Sequence, residues 1–406
     1  MENRYDKYKD SGIAWIGEIP EHWEVKKLGH LYIPRNEKVS DQDYPALSVT
    51  MQGVLLQLEN VAKTNDGDNR KLVKIGDFAI NSRSDRRGSC GISKYDGSVS
   101  LINTVLIPIN DMNPVFYEWL FHSSLFSDEY YRWGHGIVND LWTTKWQEMK
   151  NIQIVAPPLQ EQQSIAAYLD QKCGEIDELI TLQEEMITKL QSYKQSVITE
   201  AVTKGLDKNV PLKDSGIEWI GEIPEHWSII CLKRLCRIST GNQDTQDSIP
   251  DGKYPFFVRS PKVERSNNYT FEGPSILMAG DGVGAGKVFH LADNKFACHQ
   301  RVYCINQFSV IVNRIYLFYY MSSLFYNIID SANSKSTVDS VRLPMLAEFP
   351  VCIPLKYEQQ SIADYLDQRC SEIDELISIK QQKIEKLKEY KKSLIFECVT
   401  GKRKVS

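Results

Sequence analysis

Residues 81–89, Asn-Ser-Arg-Ser-Asp-Arg-Arg-Gly-Ser, concentrate three arginines among small polar side chains and one carboxylate. A guanidinium presents a planar fork of donors that can grip a guanine edge or a phosphate at two points, and serine or asparagine can bond phosphates or adenine. Ser82, Arg83, Ser84, Arg86 and Arg87 are therefore candidates for nucleic-acid contact, and Thr143 and Lys145 belong to a second polar stretch at 142–145. The alternative is a solvated loop whose charge Asp85 partly neutralises. A further unusual stretch, 280–287, reads Gly-Asp-Gly-Val-Gly-Ala-Gly-Lys. It fits G-x-G-x-x-A in form, but the residues that follow, KVFHLADNKFACH, read as strand and turn instead of helix. Lys287 precedes Val288, where a Walker loop needs Ser or Thr. The stretch reads as a tight backbone turn that brings amides close to a ligand such as phosphate, with Gly282, Gly284 and Lys287 as its candidates. His299, Gln300 and Arg301 form one more polar loop, and Ser334, Lys335 and Thr337 another.

No residue set for covalent chemistry accompanies these loops. Neither N-P-P-Y nor D-P-P-Y occurs, and no helicase loop or paired-carboxylate nuclease signature stands out. The nine cysteines are scattered without a C-x-x-C pair, and Cys231, Cys236, Cys298, His299 and Cys304 match no common zinc spacing. They read as buried thiols, and the chain is expected to hold no metal or cofactor of its own. His22 and His226 recur beside Trp23 and Trp227 inside a copied block. A duplicated frame has no reason to keep two general bases, so both read as parts of a structural corner.

The frame that must position these loops is duplicated. Residues 10–23 (DSGIAWIGEIPEHW) and 214–227 (DSGIEWIGEIPEHW) agree at thirteen of fourteen positions, at an offset of 204. Residues 161–180 (EQQSIAAYLDQKCGEIDELI) and 358–377 (EQQSIADYLDQRCSEIDELI) agree at seventeen of twenty, at an offset of 197. The inserts between the blocks, 24–156 and 228–352, share little sequence. A frame kept twice around diverged inserts implies one scaffold presenting two different surfaces.

The second block reads as helix. From Glu161 no proline interrupts the chain until Pro211, and Gly174 is the single glycine before Gly205. Ile176, Leu179, Met186, Leu190, Tyr193 and Val197 alternate steps of three and four, with Gln183 filling one slot, which is a heptad seam. The copy keeps Ile373, Leu376, Leu387, Tyr390 and Leu394 but puts Lys380 and Lys383 in the slots of Gln183 and Met186. Two long helices are expected, entered through Pro157-Pro158 and Pro354 and closed at Gly205 and Gly401. About 44 residues at ~1.5 Å each make a rod of about 65 Å. The first helix is acidic early (Glu175, Asp177, Glu178) and the second basic late (Lys383, Lys386, Lys388, Lys391, Lys392). Antiparallel packing would set those faces together, the alternative being two ordinary solvated faces. In the inserts, short apolar runs at 78–81, 99–109, 275–279 and 302–305 read as strands, and 114–125 and 310–325 as helices. The expected class is α+β: two globular mixed α/β domains joined by two long antiparallel coiled-coil helices, with an internal pseudo-twofold repeat. The segments are 1–156, 157–206, 207–352 and 353–406.

With 42% hydrophobic and 25% charged residues, the chain has the composition of a globular protein and not of a disordered one. No apolar run approaches the roughly 18 to 20 residues of a membrane helix. The charged start, MENRYDKYKD, lacks the apolar stretch of a signal peptide, so a cytoplasmic location is expected. A net charge of −5 opposes nucleic-acid binding, which needs a basic surface. The charge is uneven, however: 228–352 carries 13 Lys and Arg against 10 Asp and Glu, and 157–206 carries 4 against 8.

The Gly-Glu-Ile-Pro-Glu-His-Trp sequences at 17–23 and 221–227, with PPLQEQQSIA at 157–166 and PLKYEQQSIA at 354–363, resemble the specificity subunits of Type I restriction-modification systems. The resemblance covers the whole chain, with Tyr357 as a one-residue insertion in the second copy. It implies two target-recognition domains, each followed by a long helix, the helices packing antiparallel as a spacer. It also implies methyltransferase subunits docked on the conserved regions and a restriction/translocase subunit beside them. S-adenosylmethionine, ATP and Mg would belong to those partners, and this chain would catalyse nothing. The implied ligand is double-stranded DNA with a bipartite target, and at about 34 to 36 Å per turn the rod bounds its span at about two turns. The competing possibility is a scaffold that organises protein partners without touching DNA, which salt-dependent, sequence-selective DNA binding would exclude.

Overall fold

The duplicated N-terminal block folds twice into the same ribbon. In the computed structural model, which describes residues 4–57, 67–109, 111–136, 142–332 and 340–405, Tyr8–Asp10 pairs antiparallel with Glu18–Pro20, and Leu212–Asp214 with Glu222–Pro224. Asp10 and Asp214 each accept the amide of the glycine two residues on, at 2.9 Å. Those glycines, Gly12 and Gly216, sit at φ of +71° and +72°, a left-handed turn that a side chain would strain. Ile19, Trp23, Ile223 and Trp227 of the two blocks are buried.

Each insert leaves and rejoins its frame through one antiparallel strand pair: Glu24–Lys27 with Gln153–Ala156, and Ser228–Cys231 with Pro350–Ile353. Inside, the unlike sequences build one common antiparallel sheet of four strands. Its order is Cys90–Ile92, Phe78–Asn81, Asn103–Pro108, Tyr32–Pro34 in the first insert and Phe289–Ala292, Ser275–Ala279, Val302–Asn306, Arg237–Thr240 in the second. The rest differs. The first insert adds a three-stranded sheet and the Leu47–Thr50/Gly53–Leu56 hairpin; the second adds a four-stranded sheet in which Tyr254–Phe257 runs parallel to Lys295–Cys298. The runs at 78–81 and 275–279 are strands as expected, and that at 302–305 extends to Asn306. The run at 99–109 is broken, because the Asn103 amide turns back onto the Ser100 carbonyl at 3.0 Å, so Val99 ends one strand and Asn103 begins another.

The α-helices are, in chain order, α1 (Pro114–His122), α2 (Ser124–Arg132), α3 (Trp146–Met149), α4 (Leu159–Lys204), α5 (Arg314–Leu324), α6 (Tyr326–Ala332), α7 (Leu343–Ala347) and α8 (Lys356–Val399). The apolar run at 114–125 is two helices, since Ser123 ends α1 and its Oγ accepts the Phe126 amide as the N-cap of α2. Asn113 and Asn313 cap α1 and α5, which starts α5 at Arg314 and not at the head of its apolar run. Polar bolts fix both caps to the long helices. Gln162 accepts the Asn113 amide at 2.8 Å and donates to the Pro157 carbonyl at 2.7 Å; Gln359 does the same for Asn313 at 2.7 Å and Pro354 at 3.0 Å. About two turns further along the long helices, Trp119 donates to Asp170 at 2.8 Å and Tyr319 to Asp367 at 2.7 Å. Gln162/Gln359 and Asp170/Asp367 keep the 197 offset, so the diverged inserts are fastened to the frame at equivalent points.

Contacts divide the chain into two units, residues 1–183 with 381–406, and residues 184–380. The first has a core of Trp23, Phe116, Phe121, Phe126 and Tyr130 closed by Ile165, Leu169, Leu394 and Cys398. The second buries Trp227, Tyr316, Tyr320 and Phe325 with Ile198, Val202, Ile362 and Leu366. Within each, α4 and α8 run antiparallel. Lys391 bonds Asp177 at 2.6 Å in the first, so the acidic and basic faces meet there; Lys194 bonds Asp374 at 2.7 Å in the second. Asp177/Asp374 and Lys194/Lys391 are again 197 apart, so the two ion pairs are copies of one another.

The seam register differs from the expected one. Ile176, Gln183 and Val197 are buried and Leu190 half-buried, as anticipated, but Leu179, Met186 and Tyr193 are exposed. The alternate slots fall one residue later, on Ile180, Ile187 and Lys194. On α8 the seam follows Ile373, Ile377, Lys380, Ile384, Leu387, Lys391 and Leu394, so Lys383 is outside it and Leu376 and Tyr390 are exposed. Three-four and four-three spacings are both heptads from the same anchors and differ by one residue, about 100° of rotation on that flank. The second is available because Lys194 and Lys391 can lay their stems along the seam while their amines reach a carboxylate. Nor is Tyr357 an insertion. The 197 offset holds from Gln153–Ala156 and Pro350–Ile353 into the starts of α4 and α8, so Tyr357 stands in the place of Gln160.

All nine cysteines are free thiols, seven of them buried. Among the described residues, no helix is long and apolar enough to cross a membrane.

Candidate nucleic-acid interface

The arginine-rich and glycine-rich stretches occupy the same place in the two inserts. Residues 82–89 join Phe78–Asn81 to Cys90–Ile92, and residues 280–288 join Ser275–Ala279 to Phe289–Ala292, the equivalent pair of the common sheet. Each turn is backed by the segment leading into a short helix. Arg83 bridges Thr143, and the Thr144 amide donates to the Ser82 carbonyl at 3.0 Å; Asp281 bridges Ser340, and the Val341 amide donates to the Gly280 carbonyl at 2.8 Å. One backbone device therefore carries two unrelated sets of side chains.

In the first insert the turn starts when the Asn81 side chain accepts the Arg83 amide at 3.0 Å, and Gly88 closes it at φ +73°. Arg86 and Arg87 project, their side chains 68% and 58% exposed. Arg87 bonds Asp128 at 3.0 Å and lies over the Tyr131 ring, 5.2 Å from its centroid. Ser84, Arg87, Tyr131 and Trp142 line one cleft of about 650 Å³, and Ser82, Thr143 and Lys145 lie on a second of about 350 Å³ with Lys71 and Trp146. The predicted residues 82–87, 143 and 145 are thus brought together. Ser82 is corrected from a contact to a support: it is buried, and its hydroxyl is spent on the Ile102 carbonyl.

The second half of the glycine-rich turn is closed to an anion. The amides of Ala285, Gly286, Lys287 and Val288 donate to Gly282, Ala279, Gly284 and Gly284 within the turn, so none of the four is available to a phosphate. Gly282 and Gly284 lie on an open cleft with Arg259 and the exposed Val283. Lys287 folds back over Tyr326 of α6, with Nζ 4.0 Å from the ring centroid. Gln300 and Arg301 are exposed beside the turn, whereas His299 is buried and corrected to a support. Its Nδ1 accepts the Arg301 amide at 2.9 Å, and its ring stacks on Phe256. Ser334, Lys335 and Thr337 lie outside the described residues.

His22 and His226 belong to corners that hold helix α4 or α8 on the frame. His22 contacts Glu161 at 2.6 Å, and the indole of Trp23 and the hydroxyl of Tyr5 donate to the same carboxylate at 3.0 and 2.8 Å. Burial opposes the charge of Glu161, but those three bonds outweigh it and hold its carboxyl below the usual range. His226 repeats the contact with Glu358 at 3.0 Å. A depressed carboxyl stabilises the fold fully above its unfolded value near 4.5 and loses that contribution as pH falls further, through the folded value. Glu161→Gln is therefore expected to destabilise the protein near pH 7 and to differ less from the parent near pH 3.5. Urea midpoints of both proteins at the two pH values check this; a gap that does not narrow on acidification would remove the carboxylate from the corner.

The family model of the type I restriction modification DNA specificity domain matches residues 20–191 and again 224–389. The chain is 24% identical to the type I restriction enzyme MjaVIII specificity subunit of Methanocaldococcus jannaschii, across 95% of this chain and 94% of that one. It is 25% identical to the type I restriction enzyme EcoDI specificity subunit of Escherichia coli, across 45% of this chain and 39% of that one. Among solved structures, a chain from a study of complex assembly and conformational transition of the type I R-M system superposes with a TM-score of 0.72 at 15% identity, over 94% of this chain and 98% of its own. The HsdS subunit from Thermoanaerobacter tengcongensis superposes with a TM-score of 0.51 at 17% identity, over the same shares. Two family matches, one on each half of a duplicated frame whose diverged turns point outward, place this chain in the type I restriction-modification DNA specificity family, as a specificity subunit that recognises DNA sequence.

Proposed function

We propose that each insert reads one half of a bipartite double-stranded DNA target, and that the chain performs no chemistry itself. The observation that carries this is the equivalence of the 82–89 and 280–288 turns: identical placement with unlike side chains is what two readers of different half-sites require. The modification of DNA then falls to methyltransferase subunits, and cleavage to a restriction/translocase subunit, with S-adenosylmethionine, ATP and Mg held by those partners in the cytoplasm. A surface for partners is available on the long helices. Leu179, Leu182 and Tyr193 of α4 and their equivalents Leu376, Ile379 and Tyr390 of α8 are exposed large side chains outside the seam, repeated at the 197 offset. Exposed apolar side chains recurring in one pattern mark an interaction face more often than chance placement does.

Modified bases mapped across the genome with this gene present and deleted test the assignment. The expected result is a two-part motif that loses modification on deletion. Purified with its methyltransferase subunits, the chain should bind that motif selectively, and more weakly as salt rises. An unchanged modification map with no DNA binding would leave only a protein scaffold, and binding without sequence preference would remove the half-site reading.

A further inference from the structure

We propose that Asp281 holds Arg259 and Arg301 as a paired fork on the second insert, and that Arg301 reads a guanine in the half-site this insert recognises. The inference rests on the reading that the second insert contacts one half of the DNA target.

Three strand ends converge here, and glycine lets them. A Cβ on Gly280 would lie 2.9 Å from the Arg301 carbonyl and 3.0 Å from the Tyr303 ring; one on Gly284 would lie 2.4 Å from the Arg259 carbonyl. Without side chains at 280 and 284, the turn packs against the 299–301 turn and the end of the Tyr254–Phe257 strand, and the Gly280 amide donates to the Arg301 carbonyl at 2.8 Å. That close approach delivers Asp281 between two arginines from different segments. Its Oδ1 accepts from Arg259 Nη1 at 3.0 Å, and its Oδ2 lies 3.6 Å from Arg301 Nε. The glycines at 280 and 284 thus serve convergence of backbone.

The geometry suits a base edge. Asp281 is 23% exposed and sits behind its partners, whereas Arg259 and Arg301 are 46% and 66% exposed. The Arg301 nitrogen nearest the carboxylate is Nε, so its two terminal nitrogens can serve as the fork that matches O6 and N7 of guanine in the major groove. Its backbone is fixed as well, because buried His299 accepts the Arg301 amide and the Gln300 amide donates to the Gln243 carbonyl at 2.8 Å. A fixed backbone and a buttressed side chain lower the entropy lost on binding, which a free surface arginine would pay in full. The adjoining cleft, about 330 Å³, is lined by Thr245, Arg259, Gly282 and Val283 and gives the neighbouring bases room.

The test uses the full chain with its methyltransferase subunits. Binding to the native target duplex is competed with duplexes substituted at each base pair in turn. The parent complex should require a guanine in one half-site. Arg301→Ala and Arg301→Lys should each reduce discrimination at that one pair by about tenfold to hundredfold, with the other half-site unaffected. Asp281→Asn should weaken discrimination at the same pair by loosening the fork. Lysine keeps the charge but not the two-point grip, so an Arg301→Lys complex that discriminates as the parent does would mean a phosphate contact and overturn the proposal. So would a half-site without guanine, or equal losses in both halves. A parent complex with no sequence preference would instead remove the recognition reading beneath it.

Discussion

Replacing Arg86 and Arg87 together with alanine is expected to relax or abolish recognition of one half-site while leaving the other half and the fold intact. Each good two-point contact with a base is worth about 1 to 3 kcal/mol of discrimination, so loss of one such contact means about tenfold to hundredfold and loss of two considerably more. The structural cost is small by comparison. Arg86 only approaches Asp85, at 3.8 Å, and the exposed Arg87–Asp128 pair at 3.0 Å is of the kind that contributes about 0.2 to 1 kcal/mol. The ring contact with Tyr131 adds about 0.5 to 1 kcal/mol at such an exposed site. Modification mapping in cells carrying the double variant, with thermal melting of the purified complex, separates the outcomes. Equal loss at both halves would assign these arginines to general phosphate contact. A collapse in melting temperature would make them structural.

Removing residues 381–406 should unfold the first unit and spare the second. The segment supplies Leu394, Ile395, Cys398 and Val399, all buried, to the same core as Trp23 and Phe116. Burying each large aliphatic is worth about 1.5 to 3 kcal/mol. Three of them together approach the ~5 to 15 kcal/mol that typically separates folded from unfolded protein. The deletion also removes Lys391 from Asp177 and the Gly401 carbonyl from the Tyr8 hydroxyl, a 3.1 Å bond. Gly401 has no substitute there, since at φ +74° a Cβ would lie 2.3 Å from Pro20. Hydrogen exchange on the truncated chain should show protection lost across residues 4–183 and kept across 184–380. Protection retained in the first segment would mean that α8 is an accessory to that core and not part of it.

Much of the frame was legible because it is written twice. A motif such as DSGI-WIGEIPEHW fixes an Asx turn, a left-handed glycine and a buried tryptophan through neighbours a few residues apart, and its recurrence marks the second copy. The long helices were equally plain from their freedom from proline and their heptad spacing. The seam itself was not, because Leu179 and Ile180 both satisfy the local pattern and the choice depends on which flank the partner helix covers. Gln162 and Gln359 carry no local signal inside the repeated E-Q-Q sequence, because their role depends on Asn113 and Asn313, which arrive from 49 and 46 residues away. Nothing in the local sequence distinguishes Asp281 from any other turn carboxylate.

By itself, then, the amino-acid sequence determined the duplication, the two long helices, the mixed inserts and the loops worth inspecting, since periodicity, turn chemistry and repetition are properties of near neighbours. The tertiary structure decided which candidates face outward, that Ser82 and His299 are buried supports, that the amides of residues 285–288 in the glycine turn are occupied, and that Arg259 and Arg301 meet on one carboxylate. The support at Ser82 and the meeting of Arg259 and Arg301 on Asp281 depend on strand ends 20 to 22 residues apart approaching each other, and burial and partnership at that range are set by packing, which local spacing does not encode.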